Sequence, residues 1–434
     1  MNFSDAKPFQ IILLAAFGFF AVIALILFAN FGGFGGGKST LGTVVIWGTL
    51  PQSAVGTSLD ALKAANQQFN GVTYVQKQTN NFDANLAEAL ASGTGPDLIL
   101  ISQEQLTSEQ NKLSVIPFAT ISQRDFLNTY LPITELFLST SGTYGIPFVV
   151  DPFVLYYNRT SLSNAGVASV PTSWEAITGL SERMTVRQAG SVTSSVVPFG
   201  AYENVENARA ILSLLFLQSG NPIVSVSTNG PHSGLSDAGA GSSASSPAVS
   251  AVNFYTQFAD PAKTVYTWNR ALPSARQAFL SGDLAFYPGF ASELSSLKAG
   301  NPNLDFDMAP IPQPQTAATK LTYGLAYAFA VPKASKNPTG AITVAQTLSG
   351  APYSTTAAVA LSMAPALRAS LTPSATDRFQ PVYYPQALVA KGWLSPLPNV
   401  TDQIFSTMIG DITSGRKDTT QALTAADQAI NASF

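Results

Sequence analysis

Cysteine is absent from this chain of 434 residues, and histidine occurs once, as His232. The first absence excludes disulfides, zinc–thiolate sites and cysteine nucleophiles. The second leaves a Ser–His triad only His232, which sits in the Ser/Gly-rich stretch 225–247 and reads as a solvated loop residue. Charge is also scarce. Asp, Glu, Lys and Arg make up 11% of the chain, against about 25% in ordinary soluble domains. Ser, Thr, Asn, Gln and Gly fill the gaps between apolar runs, which predicts a polar but nearly uncharged surface. With 22 basic and 25 acidic residues, a net charge of -3 and no long basic run, the chain lacks the means to neutralise a phosphate backbone, so nucleic acid is excluded as a partner. Carboxylate-only catalysis stays open on composition.

What is present is ample apolar content, 46% over 434 residues, enough to fill two cores rather than one. The most apolar stretch is Ile11 to Phe28, and no charge occurs between Lys7 and Lys38. As a helix it would be about 27 Å long, sufficient to span a bilayer. Residues 1–30 therefore read as an N-terminal transmembrane anchor and 31–41 as a Gly/Ser linker, with a cleaved signal peptide as the competing reading. Gly32 to Ser39 satisfies the GxxxxGKS phosphate-loop spacing, but such a loop must leave a strand and open a helix. This one follows the apolar stretch and leads into a strand-like run, so a flexible spacer explains the same letters.

Past the spacer, Thr43–Trp47, Val72–Val75 and Leu98–Ile101 read as short apolar strands, and Leu59–Phe69 and Phe82–Ala91 as helices between them. This βαβαβ pattern predicts a mostly parallel sheet covered on both faces. Ligands of such sheets sit at the carboxyl ends of strands. That makes Thr49, Gln52, Ser102, Gln103 and Glu104 candidate ligand-facing residues by position. Further helices are expected at Asn207–Gln218, Ala248–Phe258 and Ala271–Ser281. No fixed-period repeat is visible, which disfavours solenoids and propellers.

Seven stretches then point one way: VVIWGT at 44–49, ALASGTGPDLILIS at 89–102, YGIPFVVDPFVLYYNRTSLSNAGVASVPTSWEAI at 144–177, LFLQSGNPIV at 215–224, SARQAFLSGDLAFYPGFASEL at 274–294, MAPIPQP at 308–314 with YAFAVPKASKNP at 327–338, and GWLSPLPNVTDQIFSTMIGDITSG at 392–415. In content and order they resemble the sugar-type extracellular solute-binding proteins of ABC importers, the superfamily of the maltose-binding protein. The resemblance implies a two-lobed α/β clamp of the periplasmic-binding-protein type, behind the N-terminal transmembrane helix. Lobe one would hold 42–150 plus 326–370, and lobe two 152–322 plus 375–434. The chain would cross near Val150, Tyr323 and Ser370, where Gly324 and Thr372-Pro373-Ser374 suit a hinge. It also implies a monomer without cofactor or metal, working outside the cell membrane with the membrane subunits of an ABC importer. Related proteins are often tethered by a lipid on an N-terminal cysteine; without cysteine, a helix in the lipid bilayer would serve.

The resemblance also proposes site residues. Asp151 interrupts an apolar strand and stands seven before Asn158, where family members place an acidic ligand-facing residue; Asn158 itself reads as the strand's end. Glu104, Gln105 and Glu203 match cleft positions, whereas Asp97 reads as a structural cap. A sugar needs flat apolar faces for its C–H surface and polar groups for its hydroxyls. Trp268 in its polar-flanked loop, Trp393 and Tyr144 are the leading platforms, with Tyr383 and Tyr384 also available; Trp47 and Trp174 read as packing residues. Where many members carry a stacking tryptophan, this chain has Ser292. That departure leaves open a monosaccharide, another polyol, a polyamine or a peptide as ligand. Two rival functions are a glycoside hydrolase using Asp151 and Glu203, which would have to lie about 5 to 9.5 Å apart, and a surface receptor or adhesion protein uncoupled from transport.

Overall fold

The computed structural model describes residues 41–188, 191–227, 230–237 and 246–434. The expected anchor and most of its spacer, including the GxxxxGKS letters, lie outside the described residues. Among the described residues no helix is long and apolar enough to cross a membrane.

Nine strands form the central sheet: β1 (Val44–Gly48), β2 (Val72–Gln76), β3 (Leu98–Ser102), β4 (Ile146–Asn158), β5 (Phe286–Phe290), β6 (Phe306–Ala309), β7 (Thr322–Ala330), β8 (Ala364–Pro365) and β9 (Ala390–Lys391). The main path runs β5-β4-β7-β3-β1-β2, with β6 and β8 on β4 and β9 on β7. β1 pairs in parallel with β2 and β3, as the βαβαβ reading requires, and β7 runs antiparallel to both β3 and β4. Every residue of β3, Leu-Ile-Leu-Ile-Ser, is buried, the signature of a strand covered on both faces.

The connecting helices follow from side-chain spacing. In α1 (Gln52–Ala65) the buried Ala54, Val55, Ser58, Leu59 and Leu62 form one stripe. The helix begins seven residues earlier than the expected Leu59, because its first turn carries polar residues that hide the apolar period. It ends before Phe69 because Asn66 turns extended and its side chain accepts from the Gln68 N–H, starting a separate short turn. α2 (Phe82–Ala91) buries Phe82, Leu86 and Ala89. α3 (Gln103–Glu109) opens on a capping box between Ser102 and Gln105. α4 (Ala208–Gln218) is apolar nearly all round and almost wholly buried. The helix expected from Ala271 starts instead at Ala275, with Ser274 as its cap accepting from the Gln277 N–H; Pro273 biases the residue before it away from helix.

β4 and β7 join the two lobes. β4 is 13 residues long, about 43 Å at strand rise, and changes partners midway. Its first half pairs with β7 and β8, and its second half with β5 and β6. The changeover falls at Asp151 and Pro152, opposite Leu325 and Gly324. Gly324 is a point of close approach: a Cβ there would lie 3.0 Å from Ala390 Cβ and 3.2 Å from the Asp151 carbonyl oxygen.

Candidate ligand-binding site

The junction between the lobes has a polarity set by register. Side chains alternate along a strand, so Tyr323, Leu325 and Tyr327 share one face of β7. Asp151 is directly opposite Leu325 and Val149 opposite Tyr327, so Val149, Asp151 and Phe153 share that face on β4. Phe290, at the end of β5, stands over it, with ring centroids 5.1 Å from Phe153 and 6.2 Å from Tyr323. Leu325, Tyr327, Phe290 and Ser292 are each only half-buried in this otherwise enclosed region. A carboxyl group, tyrosine hydroxyls and an aromatic face thus converge where the chain crosses from one lobe to the other.

Asp151 is 3% exposed. Its carboxylate accepts from the Ser292 N–H at 3.0 Å. Burial raises its pKa from the ordinary 3.8 to about 7, against the lowering effect of the hydrogen bonding from Ser292. Tyr327 is held above the usual tyrosine range by burial and then by the charges of Asp151 and Glu104; its hydroxyl lies in the field of both carboxyl groups. The turn that presents Ser292 is braced by Glu293, which accepts from Asn207 Nδ2 and the Tyr287 hydroxyl, each at 2.7 Å, and from the Phe290 N–H at 2.9 Å. Arg276 also pairs with Glu293 at 2.5 Å.

Glu104 leaves the end of β3 and is 4% exposed. One oxygen pairs with Arg209 Nη2 at 2.6 Å and the other accepts from the Tyr323 hydroxyl. Gln103, also expected to face ligand, is consumed elsewhere: its amide donates to the Gly324 carbonyl at 3.1 Å and accepts from the Ala326 N–H at 2.7 Å. Backbone groups of alternate strand residues point to opposite edges in the sheet plane, and Gln103 meets those of Gly324 and Ala326 just past the last β3–β7 pair, Ser102 with Tyr327. Gln105 closes the capping box on Ser102 and reaches Asp83 at 3.4 Å. Thr49 and residues 76–80 line a cavity at the carboxyl ends of β1 and β2, beside which Lys77 Nζ lies 3.6 Å above the Trp47 ring.

The other sequence candidates are dispersed. Glu203 is half exposed and pairs with Arg270 at 3.3 Å. Trp268 is 1% exposed, with its indole N–H on Asn204 Oδ1 at 3.1 Å. Its polar flanks turn their groups inward, Thr267 onto the Val197 carbonyl and Asn269 onto the Tyr266 hydroxyl. Trp393, 2% exposed, packs near Phe405 and donates to Ser213 Oγ at 3.1 Å. Tyr144 is half-buried, and its backbone N–H bonds the Phe137 carbonyl. Tyr383 and Tyr384 are buried and stacked edge to face on each other. Asn158 caps the helix after β4, accepting from the Ser161 N–H. Asp97 ties Val45 to Ser335, Lys336 and Asn337. Among the described residues no group of three or more acidic or histidine side chains is placed to hold a metal ion.

Sequence reasoning missed Tyr323, Tyr327, Phe290 and Arg209. The first two were detectable from the period-two pattern of β7, and Arg209 as a cation at the start of an otherwise apolar helix. Phe290 could be placed only once the β4–β5 pairing was known.

The model of the bacterial extracellular solute-binding protein family matches residues 52–354. This chain belongs to that family. Its members bind solutes and are not enzymes, which removes the hydrolase reading of Asp151 and Glu203. Solved structures agree on the fold at low identity. A cyclo/maltodextrin-binding protein in complex with maltotetraose is 16% identical, with 89% of this chain and 96% of that chain aligned and a TM-score of 0.71. The cyclic alpha-maltosyl-1,6-maltose binding protein from Arthrobacter globiformis is 16% identical over 90% of this chain and 98% of that one, with a TM-score of 0.73. An ABC transporter solute-binding protein from Thermotoga lettingae, bound with alpha-D-tagatose, is 15% identical over 90% and 99%, with a TM-score of 0.65. Among curated proteins, none matches this chain.

Proposed function

We propose that this solute-binding protein captures a carbohydrate at the junction face and delivers it to an ABC importer. The observation that carries the reading is the convergence of Asp151, Tyr327 and half-buried Phe290 where β4 changes lobes. A carboxyl group accepts from vicinal hydroxyls, and an aromatic face packs the C–H side of a pyranose ring. Phe290, two residues before Ser292, supplies an aromatic surface despite the missing tryptophan. Glu104 stands in the same cluster, its charge paired with Arg209. Gln105, Glu203, Trp268, Trp393 and Tyr144 come second, because each is engaged elsewhere or outside this cluster. The saccharides named for the similar structures point to the same ligand class.

The lobe boundaries proposed are 42–150 plus 326–370 and 152–322 plus 375–434; the change of partners along β4 supports a crossing at Asp151. Closure follows if only the closed state lets both lobes touch the solute. The apolar stretch Ile11–Phe28 would tether the clamp at the outer face of the membrane. Isothermal calorimetry against glucose- and mannose-based mono- and oligosaccharides, with polyamines and short peptides alongside, tests the reading; heat from saccharides is expected, and silence from every saccharide refutes it.

A further inference from the structure

We propose that Arg209 is a ligand-binding residue as well as a tie between the lobes, one arm of its guanidinium holding Glu104 and the other taking an uncharged oxygen of the solute. The proposal rests on the reading that solute sits beside Asp151 and Phe290, and it names both a further contact and the ligand's charge class.

Glu104 lies in the first turn of α3, just past β3, whereas Arg209 lies in the first turn of α4, in the lobe that carries β5 and β6. Their 2.6 Å pair therefore spans the junction. Both Glu104 oxygens are occupied, by Arg209 and by the Tyr323 hydroxyl. Arg209 is not fully occupied: among the described residues its Nη1 is buried without any hydrogen-bond partner. A buried donor seldom goes unpaired, and a guanidinium cannot shed its proton to escape the cost. The start of α4 is itself fixed next to the junction face, because Asn207 donates to Glu293 in the turn that carries Phe290 and Ser292. An acceptor entering beside Phe290 is what this arm lacks.

The charge of that acceptor follows from what surrounds it. Arg209 is already neutralised by Glu104, and the nearby Arg276 by Glu293. Asp151 adds negative charge whenever it ionises. A carboxylate or phosphate group would meet paired cations and an unpaired carboxyl, so hydroxyl, ring or glycosidic oxygens are favoured.

The test uses the purified chain, its Arg209→Lys and Arg209→Gln variants and Glu104→Gln. Calorimetry with maltose, mannobiose and glucose, set against glucuronate, reads the ligand arm. Lysine keeps the charge opposite Glu104 but loses the second donor arm, so saccharide affinity should fall by at least ~10-fold while the ligand-free melting temperature holds. Unchanged affinity in that variant, or glucuronate binding more tightly than glucose, overturns the proposal. Small-angle scattering on ligand-free protein reads the tie without any saccharide. Arg209→Gln and Glu104→Gln should both show a larger radius of gyration than the parent, and equal radii would overturn the bridge. If no saccharide binds the parent protein, the functional reading has failed, and the scattering result still decides whether Arg209 bridges the lobes.

Discussion

At the residue scale, Asp151 combines a cost in stability with a proposed use in recognition. Its pKa rises from 3.8 unfolded to about 7 folded through burial. Between those values the native state keeps a proton that the unfolded state releases. Its stabilising contribution is therefore full below pH 4 and is lost as pH climbs to about 7. Asp151→Asn keeps an acceptor for the Ser292 N–H and removes that loss. Its melting temperature should gain on the parent from pH 4 to 7 and hold the advantage above, as thermal denaturation across pH will show. The same variant should bind saccharide more weakly, and affinity of the parent should rise from pH 5.5 to 8 as the carboxyl group ionises and accepts from hydroxyls. At Phe290, the Phe290→Ala change removes the aromatic face and should weaken saccharide binding about 10-fold or more in calorimetry; equal affinity would reassign the platform.

Elements show where local pattern suffices and where it does not. β3 and α2 were readable because an unbroken apolar strand and a stripe at 82, 86 and 89 are local signals. The early start of α1 was hidden by its polar first turn, and the late start of the helix at Ala275 is set by Pro273 and the cap Ser274. Gln103 illustrates a different limit. Its position after β3 suggests a ligand contact, yet its amide is committed to Gly324 and Ala326 on a strand more than two hundred residues away. Gln103→Leu should leave a buried N–H and carbonyl unpaired and cost about 1–3 kcal/mol in urea denaturation. A stability within error of the parent would show that water or a local shift replaces the amide.

For the whole molecule, the two long strands β4 and β7 make one sheet serve two lobes. The proposed site lies where β4 changes partners, so closure would act on it directly. Saccharide should lower the radius of gyration in scattering, and a ligand-bound radius equal to the free one would argue against a clamp. Removing residues 1–40 should leave calorimetric affinity unchanged and move the protein from the membrane to the soluble fraction, since the residues proposed to bind saccharide all lie beyond residue 40. Retention on membranes after that deletion would place the anchor elsewhere.

The sequence by itself determined the parallel βαβ start, the family through its ordered motifs, the structural roles of Asp97 and Asn158, and the interest of Asp151, a single carboxylate within an apolar strand. These are local regularities or fixed orders along the chain. Only the tertiary structure decided that Tyr323 and Tyr327 join Asp151 on one face, that Phe290 stands over them, that Trp268 is enclosed, and that Glu104 is shared by Arg209 and Tyr323. Each of those depends on register between strands or on a pair at least 64 residues apart, and no local pattern encodes which distant partner satisfies a buried group.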